Sequence, residues 1–373
     1  MTQTTTFIAT LLLVVCGIAH GTGLSGAPNP ADIREEGSVW FDTSARAAST
    51  FRPLKSAAED RWDSFDPRDG NNMEMLFTRS TVGFSKKGWS IEYVNRQEAI
   101  GLAQKDTLDI YRSQLLNVPV PGNKQYAVDY TLSGFEAQGL TLGRSFQSAA
   151  NGHIFRLGIG ATLLDARRFK YQQALGNAAV QSDGSLRVAG STVNDDTSIN
   201  TATSGFIGRY QNQSPTGSGY SIDVGLHYVS PQGVEIEWSI ADAFSEISWT
   251  RVPEITLSGS SAFNGQFPGG HKVLLDLNQT LIPKHTLTAR VPFDGYSVQA
   301  SASNIGPINM FNAGISKELS GHWNVACDYD FYFNSVGLTV SHPWFEASLR
   351  TDNLNVDSAH ALSLRVVARL LLD

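Results

Sequence analysis

The sequence predicts an all-β protein, an antiparallel transmembrane β-barrel of about 12–16 strands with an irregular N-terminal segment. Three observations lead to this prediction. Apolar residues alternate with polar or small residues through most of the chain after residue 72, tight-turn residues separate the alternating stretches, and aromatic residues recur near their ends. The composition agrees, because 34 of the 373 residues are glycine and only 17% are charged. A soluble helical protein would carry many more Glu and Lys residues on its surface.

Residues 1–21 predict a secretory signal peptide. A run of twelve apolar or small residues, FIATLLLVVCGI, begins at Phe7, and Ala19-His20-Gly21 follows it shortly afterwards. Small residues at the −3 and −1 positions indicate cleavage before Thr22. The run is too short for a membrane-spanning helix, which needs ~20 apolar residues. We therefore expect the chain to be exported into the cell envelope.

Residues 22–72 show no sustained period and are rich in charged and small residues. We expect an irregular N-terminal segment with one short helix near residues 56–63. We expect the segment to form a periplasmic extension, a lid or a plug, and a plug would fill the barrel with residues 40–61. A loosely ordered terminus is the remaining alternative, since chain termini are commonly loose.

The barrel is predicted to occupy residues 73–373. In residues 155–163, Phe, Leu, Ile, Ala and Leu alternate with Arg, Gly and Thr, and residues 220–228 and 323–333 behave similarly. Ser230-Pro231-Gln232-Gly233 separates two such stretches and predicts a hairpin between antiparallel strands. We expect two long connections. One covers residues 95–123, with a helical turn at 107–117, and the other covers residues 165–204, with a minor hairpin near 182–184.

The length of the alternating stretches favours a membrane barrel over an exported soluble β protein. Several apolar faces run for about 9–11 residues, the length of a tilted membrane-spanning strand. The opposite faces carry small residues and single charges, as a crowded barrel interior requires. The aromatic residues near strand ends are predicted to lie at the two membrane interfaces. They are Trp89, Tyr126, Tyr220, Tyr228, Trp323, Phe333 and Trp344.

Taken together, these features resemble Gram-negative outer-membrane β-barrel proteins of the porin-like kind. The resemblance covers residues 75–373. It implies location in the bacterial outer membrane, contact with outer-membrane lipid, and insertion by the barrel-assembly machinery. In addition, Asn29-Pro30-Ala31 is similar to a triplet near the mature N-terminus of barrels of the fatty-acid transporter family.

No motif for enzymatic chemistry is present. The sequence contains no P-loop, HExxH, CxxC or GxSxG pattern, and its eight histidines are scattered. We therefore predict no cofactor, no metal site and no enzymatic activity. A membrane-embedded lipid hydrolase is the least favoured function, because no serine has a fixed spacing to His153, His227 or His322. A net charge of −7 argues against a nucleic-acid partner.

Charges on the polar faces of the strands are the main functional signal. The residues predicted to face the lumen are Glu92, Asp129, Asp223, Glu235, Glu237, Asp328, Asp330, Arg156 and Arg290. Because charged rings select ions by sign, the excess of carboxylates predicts a barrel that passes small polar solutes or ions and prefers cations. Residues 165–204 would then fold inward as a constriction.

The alternative is that these charges pair across strands and only fill the interior. The chain would then be a closed structural barrel that anchors an envelope or secretion assembly. Residues 32–72 would be its docking element for a periplasmic partner.

Overall fold

Fourteen antiparallel strands close into one barrel, as the sequence predicted. The computed structural model describes residues 28–33, 37–59, 61–62, 64–120, 125–181, 186–199, 201, 215–262 and 269–372. The predicted signal peptide, residues 1–21, lies outside the described residues.

The strands are β1 (Gly37–Ser49), β2 (Asn71–Lys86), β3 (Trp89–Gln104), β4 (Gln125–Ala150), β5 (His153–Val180), β6 (Leu186–Asp196), β7 (Thr216–Val229), β8 (Glu235–Ala262), β9 (Gly269–Gln279), β10 (Lys284–Phe293), β11 (Tyr296–Ile305), β12 (Ile308–Glu318), β13 (Asn324–Asp330), β14 (Ser335–His342), β15 (Phe345–Thr351) and β16 (Ala361–Leu372). The helices are α1 (Leu54–Ala58) and α2 (Lys105–Leu116), and short 3₁₀ turns cover Pro30–Asp32, Ser320–His322 and Val356–Ser358. None of the described helices is long and apolar enough to cross a membrane.

Neighbouring strands in the ring follow the chain order, with two omissions. Strand β5 pairs with β7, β8 pairs with β10, and β16 pairs with β1 to close the ring. Strands β6 and β9 lie outside the ring of fourteen, and both pair with the C-terminal part of the long β8. The barrel wall therefore continues at one end into an extension built from β4, β5, β6, β8 and β9.

The barrel begins earlier than the predicted boundary at residue 73. Strand β1 lies within residues 22–72 and pairs with both β16 and β2, so residues 40–49 form wall and cannot be the predicted plug. The sequence did not indicate this strand, because the apolar residues Val39 and Phe41 are followed at the next outward positions by the less apolar Thr43 and Ala45. Among the described residues, those that precede β1 are 28–33, and the short helix expected near residues 56–63 is α1, Leu54–Ala58.

The long predicted connections are also largely strand. Residues 95–104 complete β3, and the described parts of residues 165–204 extend the wall as β5 and β6, so this segment does not form the predicted constriction. Both faces of the extension carry polar residues, so the period-two signal fades there. The predicted helical turn at 107–117 is α2, whereas the hairpin tip near 182–184 lies outside the described residues.

An apolar belt surrounds the barrel. On β5, the outward side chains of Phe155, Leu157, Ile159 and Leu163 are 54%, 48%, 45% and 73% exposed. Similar residues occupy the outward positions of the other ring strands, and the described short turns that join β2 to β3, β4 to β5 and β7 to β8 lie at one end. An exposed apolar belt with small and polar residues behind it is the surface of an outer-membrane β-barrel, whose apolar residues face lipid.

The extension beyond the belt contains a pair of facing carboxyl groups. Asp195 on β6 lies opposite Glu254 on β8, and its side chain is buried, with Oδ1 lacking a hydrogen-bond partner in the described structure. Burial, together with the neighbouring Glu254 carboxylate, raises the pKa of Asp195 to about 6. Both causes penalise the ionised form of Asp195.

We expect the β5–β6–β8 extension to become less stable as the pH rises from 4 to 7. The folded extension binds a proton at Asp195 more tightly than the unfolded chain, so stability is lost as the pH rises through about 6. Hydrogen exchange of the β6 amides should show this pH dependence. Asp195→Asn should remove most of it and slow exchange at pH 7.5, whereas Asp196→Asn is the control. An unchanged pH profile in Asp195→Asn would contradict the assignment.

Candidate functional site

The interior of the barrel is filled in three levels. Starting from the short-turn end, these are the plug (residues 28–33), a layer of buried charged side chains, and a layer of apolar side chains. Each level is built from inward-facing residues that alternate with the outer belt.

The plug is a 3₁₀ turn held by its own asparagine. The Asn29 Oδ1 atom accepts a hydrogen bond from the Ala31 backbone N–H at 3.0 Å, and Pro30 occupies the first position of the turn. Asn29 also donates from Nδ2 to the Leu226 carbonyl of β7 at 3.2 Å. On the other side, Ser145 Oγ of β4 donates to the Ala31 carbonyl at 3.1 Å. The plug is thus tied to two strands of the wall.

Glycines on the wall make room for the plug. A Cβ atom at Gly158 of β5 would overlap the carbonyl carbon of Pro30, and one at Gly225 of β7 would overlap Asn29 Oδ1. By contrast, a Cβ at Gly160, also on the inner face of β5, would have no heavy atom closer than 3.7 Å. The backbone of the plug therefore lies directly against β5 at Gly158, and the Asn29 side chain lies directly against β7 at Gly225. Only glycine permits such close approach.

One end of the plug contacts two charged groups of the wall. The Asp32 Oδ1 atom lies 2.6 Å from His227 Nδ1 on β7, and Glu237 lies opposite His227 on β8. One ligand-type atom from each of the three residues lies within 4.8 Å of the other two. The sequence alone predicted no such cluster, because Asp32 is far from His227 and Glu237 in the chain.

The charged layer is centred on Asp242, at a bulge in β8. Ile222 of β7 pairs with Phe244, but Val224 pairs with Ile240, so three residues of β8 face Asp223. Asp242 adopts a left-handed backbone with φ of 56°, a conformation that Asp tolerates better than most residues. This geometry turns its carboxylate into the lumen.

Two buried cations surround that carboxylate. Arg96 donates to both Asp242 oxygens, at 2.8 and 2.7 Å, and Lys284 Nζ lies 2.6 Å from Oδ2. Lys284 is also 2.7 Å from Glu98, which contacts Arg96 in turn. Two carboxylates and two cations thus form one closed network in which each charge has an oppositely charged partner. Buried charges require such pairing.

A second charged group lies on the opposite wall. Asp330 is fully buried and lies 3.0 Å from Arg46 and 3.5 Å from Arg350, which also pairs with Asp328. Arg365 of β16 donates through Nε to Asp42 of β1 at 3.0 Å. Together, the two networks place paired charges on both sides of the lumen.

An apolar layer lies beyond the charges, toward the extension. One cluster contains Met73, Met75, Phe77, Ile100, Ile305, Met310 and Phe333, all of them at most 6% exposed. A second cluster surrounds Trp249 and Phe169 and includes Leu281, from the non-strand residues 280–283 between β9 and β10. The layers touch, because Lys284 Nζ lies 5.8 Å from the Phe77 ring centroid and the Arg96 guanidinium 5.1 Å from that of Phe135.

Eight of the nine charges predicted for the lumen lie on the inner faces of ring strands, and several of them are paired. Glu235 contacts Arg290, Arg156 donates to Gln147 at 2.9 Å, and Glu92 and Asp223 are buried. Asp129 is the exception and was predicted wrongly. It lies on the part of β4 beyond the apolar belt, where it is exposed and its backbone N–H donates to Thr107 of α2 at 2.7 Å.

Two of the seven predicted interface aromatics are in the wrong place. Tyr126 is 1% exposed in a cluster with Ile110 of α2, and Phe333 is 3% exposed in the apolar layer. Both lie near strand ends, as expected, but they point to covered surfaces. Trp89, Tyr220, Trp323 and Trp344 are exposed, and Tyr228 hydrogen-bonds His153 at 2.8 Å.

The residues at the centre of the charged layer were missed by the sequence analysis. Arg96 and Glu98 were assigned to a long connection, and Asp242 and Lys284 were not among the residues predicted to face the lumen. A signal was present, since Arg96, Glu98 and Ile100 continue the period of Glu92 and Val94 along the inner face of β3.

No protein-family model and no curated protein matches this chain. Several solved outer-membrane structures are similar to it at low sequence identity. A deltaS2S3 mutant of the monoaromatic hydrocarbon channel TodX has a TM-score of 0.46 and 10% identity, and the match covers 95% of each chain. The Pseudomonas putida toluene transporter TodX has a TM-score of 0.34 and 9% identity over 95% of this chain and 94% of its own. The translocator domain of the Neisseria meningitidis autotransporter NalP has a TM-score of 0.30 and 11% identity over 90% and 88%.

We expect Asp242→Ala to destabilise the barrel by about 3–5 kcal/mol, because it leaves Arg96 and Lys284 buried beside a single carboxylate. Denaturant unfolding in detergent measures this. Lys55→Ala is the control, since it removes the exposed pair between Lys55 and Asp357 and should cost no more than about 1 kcal/mol. Equal effects of the two substitutions would show that the buried network does not hold the wall together.

Proposed function

We propose that this chain is an outer-membrane channel for small solutes and that the plug keeps it closed. The observation that carries the proposal is the fit between the plug and the glycines of β5 and β7. If the barrel had only a structural role, side chains of the wall would be enough to fill its interior. Here, a separate segment of backbone occupies the lumen at the short-turn end.

The contacts between the plug and the wall are weak enough for the plug to be displaced. Besides packing, the described plug is joined to the wall by hydrogen bonds from Asn29 and Ser145 and by the Asp32–His227 contact. Each such bond contributes only about 0.5–3 kcal/mol. Displacing the plug breaks no strand pairing among the described residues, so the wall can remain intact while the short-turn end of the lumen opens.

For the solute, we propose small polar molecules or ions, with a preference for cations. Among the described residues, the inner faces toward the short-turn end carry more carboxylates than arginines. The carboxylates include Asp32, Asp42, Glu92, Asp223, Glu235 and Glu237, and the arginines include Arg79, Arg156, Arg290, Arg365 and Arg369. In a narrow wall of low dielectric constant, this excess attracts cations.

We expect Gly225→Ala to raise ion conductance in planar bilayers at least tenfold over the wild-type protein. The new methyl group takes the place of Asn29 Oδ1, so the plug cannot bind. Gly160→Ala is the matched control, because it adds the same methyl group to the inner face of a strand with room for it. Under a salt gradient, the open channel should show a reversal potential that favours cations.

Three results would count against the proposal. Anion selectivity of the open channel would refute the preference for cations. Equal conductance of Gly225→Ala and Gly160→Ala would refute gating by the plug. If deletion of residues 28–33 also fails to open a path, the chain is instead the closed structural barrel, and a partner should be sought for the part of residues 32–72 that lies outside the wall.

The apolar layer favours a second candidate, passage of small apolar molecules. A solute entering from the extension passes Met310, Ile305 and Phe333 on its way to the Asp242 network. A polar solute would lose its hydration there without compensation, whereas an apolar one would gain burial.

This second candidate predicts that a small aromatic compound blocks the ion current of the Gly225→Ala channel by binding in the apolar layer. Met310→Ala should weaken the block at least threefold, because the Met310 side chain is fully buried in that layer. Phe311→Ala is the control, since the Phe311 side chain is 57% exposed on the outer face. If no block occurs at the solubility limit of the compound, the apolar route is excluded.

A further inference from the structure

We propose that Asp32, His227 and Glu237 form a binding site for a divalent transition-metal ion of the Zn²⁺ class, which joins the plug to the wall. The binding site stands on its own geometry. Its effect on opening rests on the proposed channel function.

The three residues converge from separate parts of the chain. His227 and Glu237 are opposite each other on β7 and β8, so the strand pairing fixes their side chains on the same inner face. Asp32 comes from the plug, and the three candidate ligand atoms lie within 4.8 Å of one another. Ligands of one zinc ion lie roughly 3–3.6 Å apart, as bond lengths of about 2.0–2.2 Å require. Small side-chain rotations would bring the three atoms to these separations.

Two of the three side chains have free ligand atoms. The His227 side chain is only 11% exposed, and its Nε2 atom is buried without a hydrogen-bond partner among the described residues. Glu237 forms no hydrogen bond or ion pair within the described structure. The nearby cations do not neutralise it by direct contact, since Arg290 pairs with Glu235 and Arg156 donates to Gln147.

The donor set selects the kind of ion. One imidazole nitrogen and two carboxylate oxygens suit Zn²⁺ and similar transition-metal ions, whereas Ca²⁺ and Mg²⁺ prefer sites made entirely of oxygen ligands. Three protein ligands leave the fourth tetrahedral position for water.

A metal ion held in this way stabilises the closed state. The complete ligand set exists only while Asp32 lies against β7, so the ion binds the plugged barrel more tightly than the open one. At a concentration one hundred times its Kd, the ion shifts the ratio of closed to open barrels about a hundredfold. Removal of the metal by a chelator would therefore favour opening.

Isothermal titration of the untagged, EDTA-treated full chain in detergent with ZnCl₂ tests the site. We expect one ion per barrel, with affinity reduced at least about tenfold in each of Asp32→Asn, His227→Asn and Glu237→Gln. His153→Asn is the control, because His153 lies at the same end of the barrel and contacts Tyr228 instead. No binding by the wild-type chain, or binding that survives all three substitutions, would overturn the proposal.

Conductance measurements separate the site from its role in gating. In wild-type channels, Zn²⁺ should lower the probability of opening and EDTA should raise it, and Glu237→Gln should remove both effects. Gly225→Ala should lose Zn²⁺ affinity as well, since its displaced plug carries Asp32 away from the wall. If Zn²⁺ binds through these residues but does not change conductance, the metal site is established and gating by the plug is what fails.

Discussion

The pairing of β1 with β16 is the interaction on which the rest of the structure depends. It joins twelve residue pairs, from Gly37 opposite Leu372 to Ala48 opposite Ala361. Lipid offers no hydrogen-bond partner to a free strand edge, so a sheet in a membrane must close. Closure also decides where the plug lies. It places Gly37 at the short-turn end, and only three residues separate Gly37 from Ile33, so residues 28–33 must lie close to that rim.

Closure also creates an interior that side chains of the wall must fill. The kind of side chain that fills it changes along the barrel axis. Near the middle, charged residues pair across the lumen instead of meeting water. The bulge at Asp242 makes this possible, because its extra residues turn one carboxylate toward two cations. Farther along, the same inward positions carry methionine and phenylalanine. The cationic groups of Arg96 and Lys284 lie over aromatic rings of the apolar layer. These cation–π contacts join the charged layer to the apolar layer.

Period two in the sequence was enough to predict the barrel, its membrane-facing side and the direction of most inward charges. The alternation could not predict which residues are covered by other parts of the chain. Phe333 and Tyr126 have the same aromatic character and strand-end position as Trp89, yet they are covered by other parts of the chain, which alternation does not show. Strand β1 was not predicted, because its outward residues Ala45 and Ala47 are small and give little hydrophobic contrast along the strand. Contacts between distant segments, such as Asp32 with His227, leave no local signal at all.

The glycines of the inner wall decide whether the N-terminal segment is a loose end or a structural part. Gly158, Gly160 and Gly225 look alike in the sequence, where each is a small residue between apolar ones. In the folded barrel they differ, because a side chain would fit at Gly160 but would collide with the plug at Gly158 and Gly225. A segment that was loose in the lumen would not require glycine at Gly158, where the plug backbone touches the wall, and at Gly225, where the Asn29 side chain does. The wall is therefore shaped to bind the plug, and opening the barrel means breaking a specific contact surface.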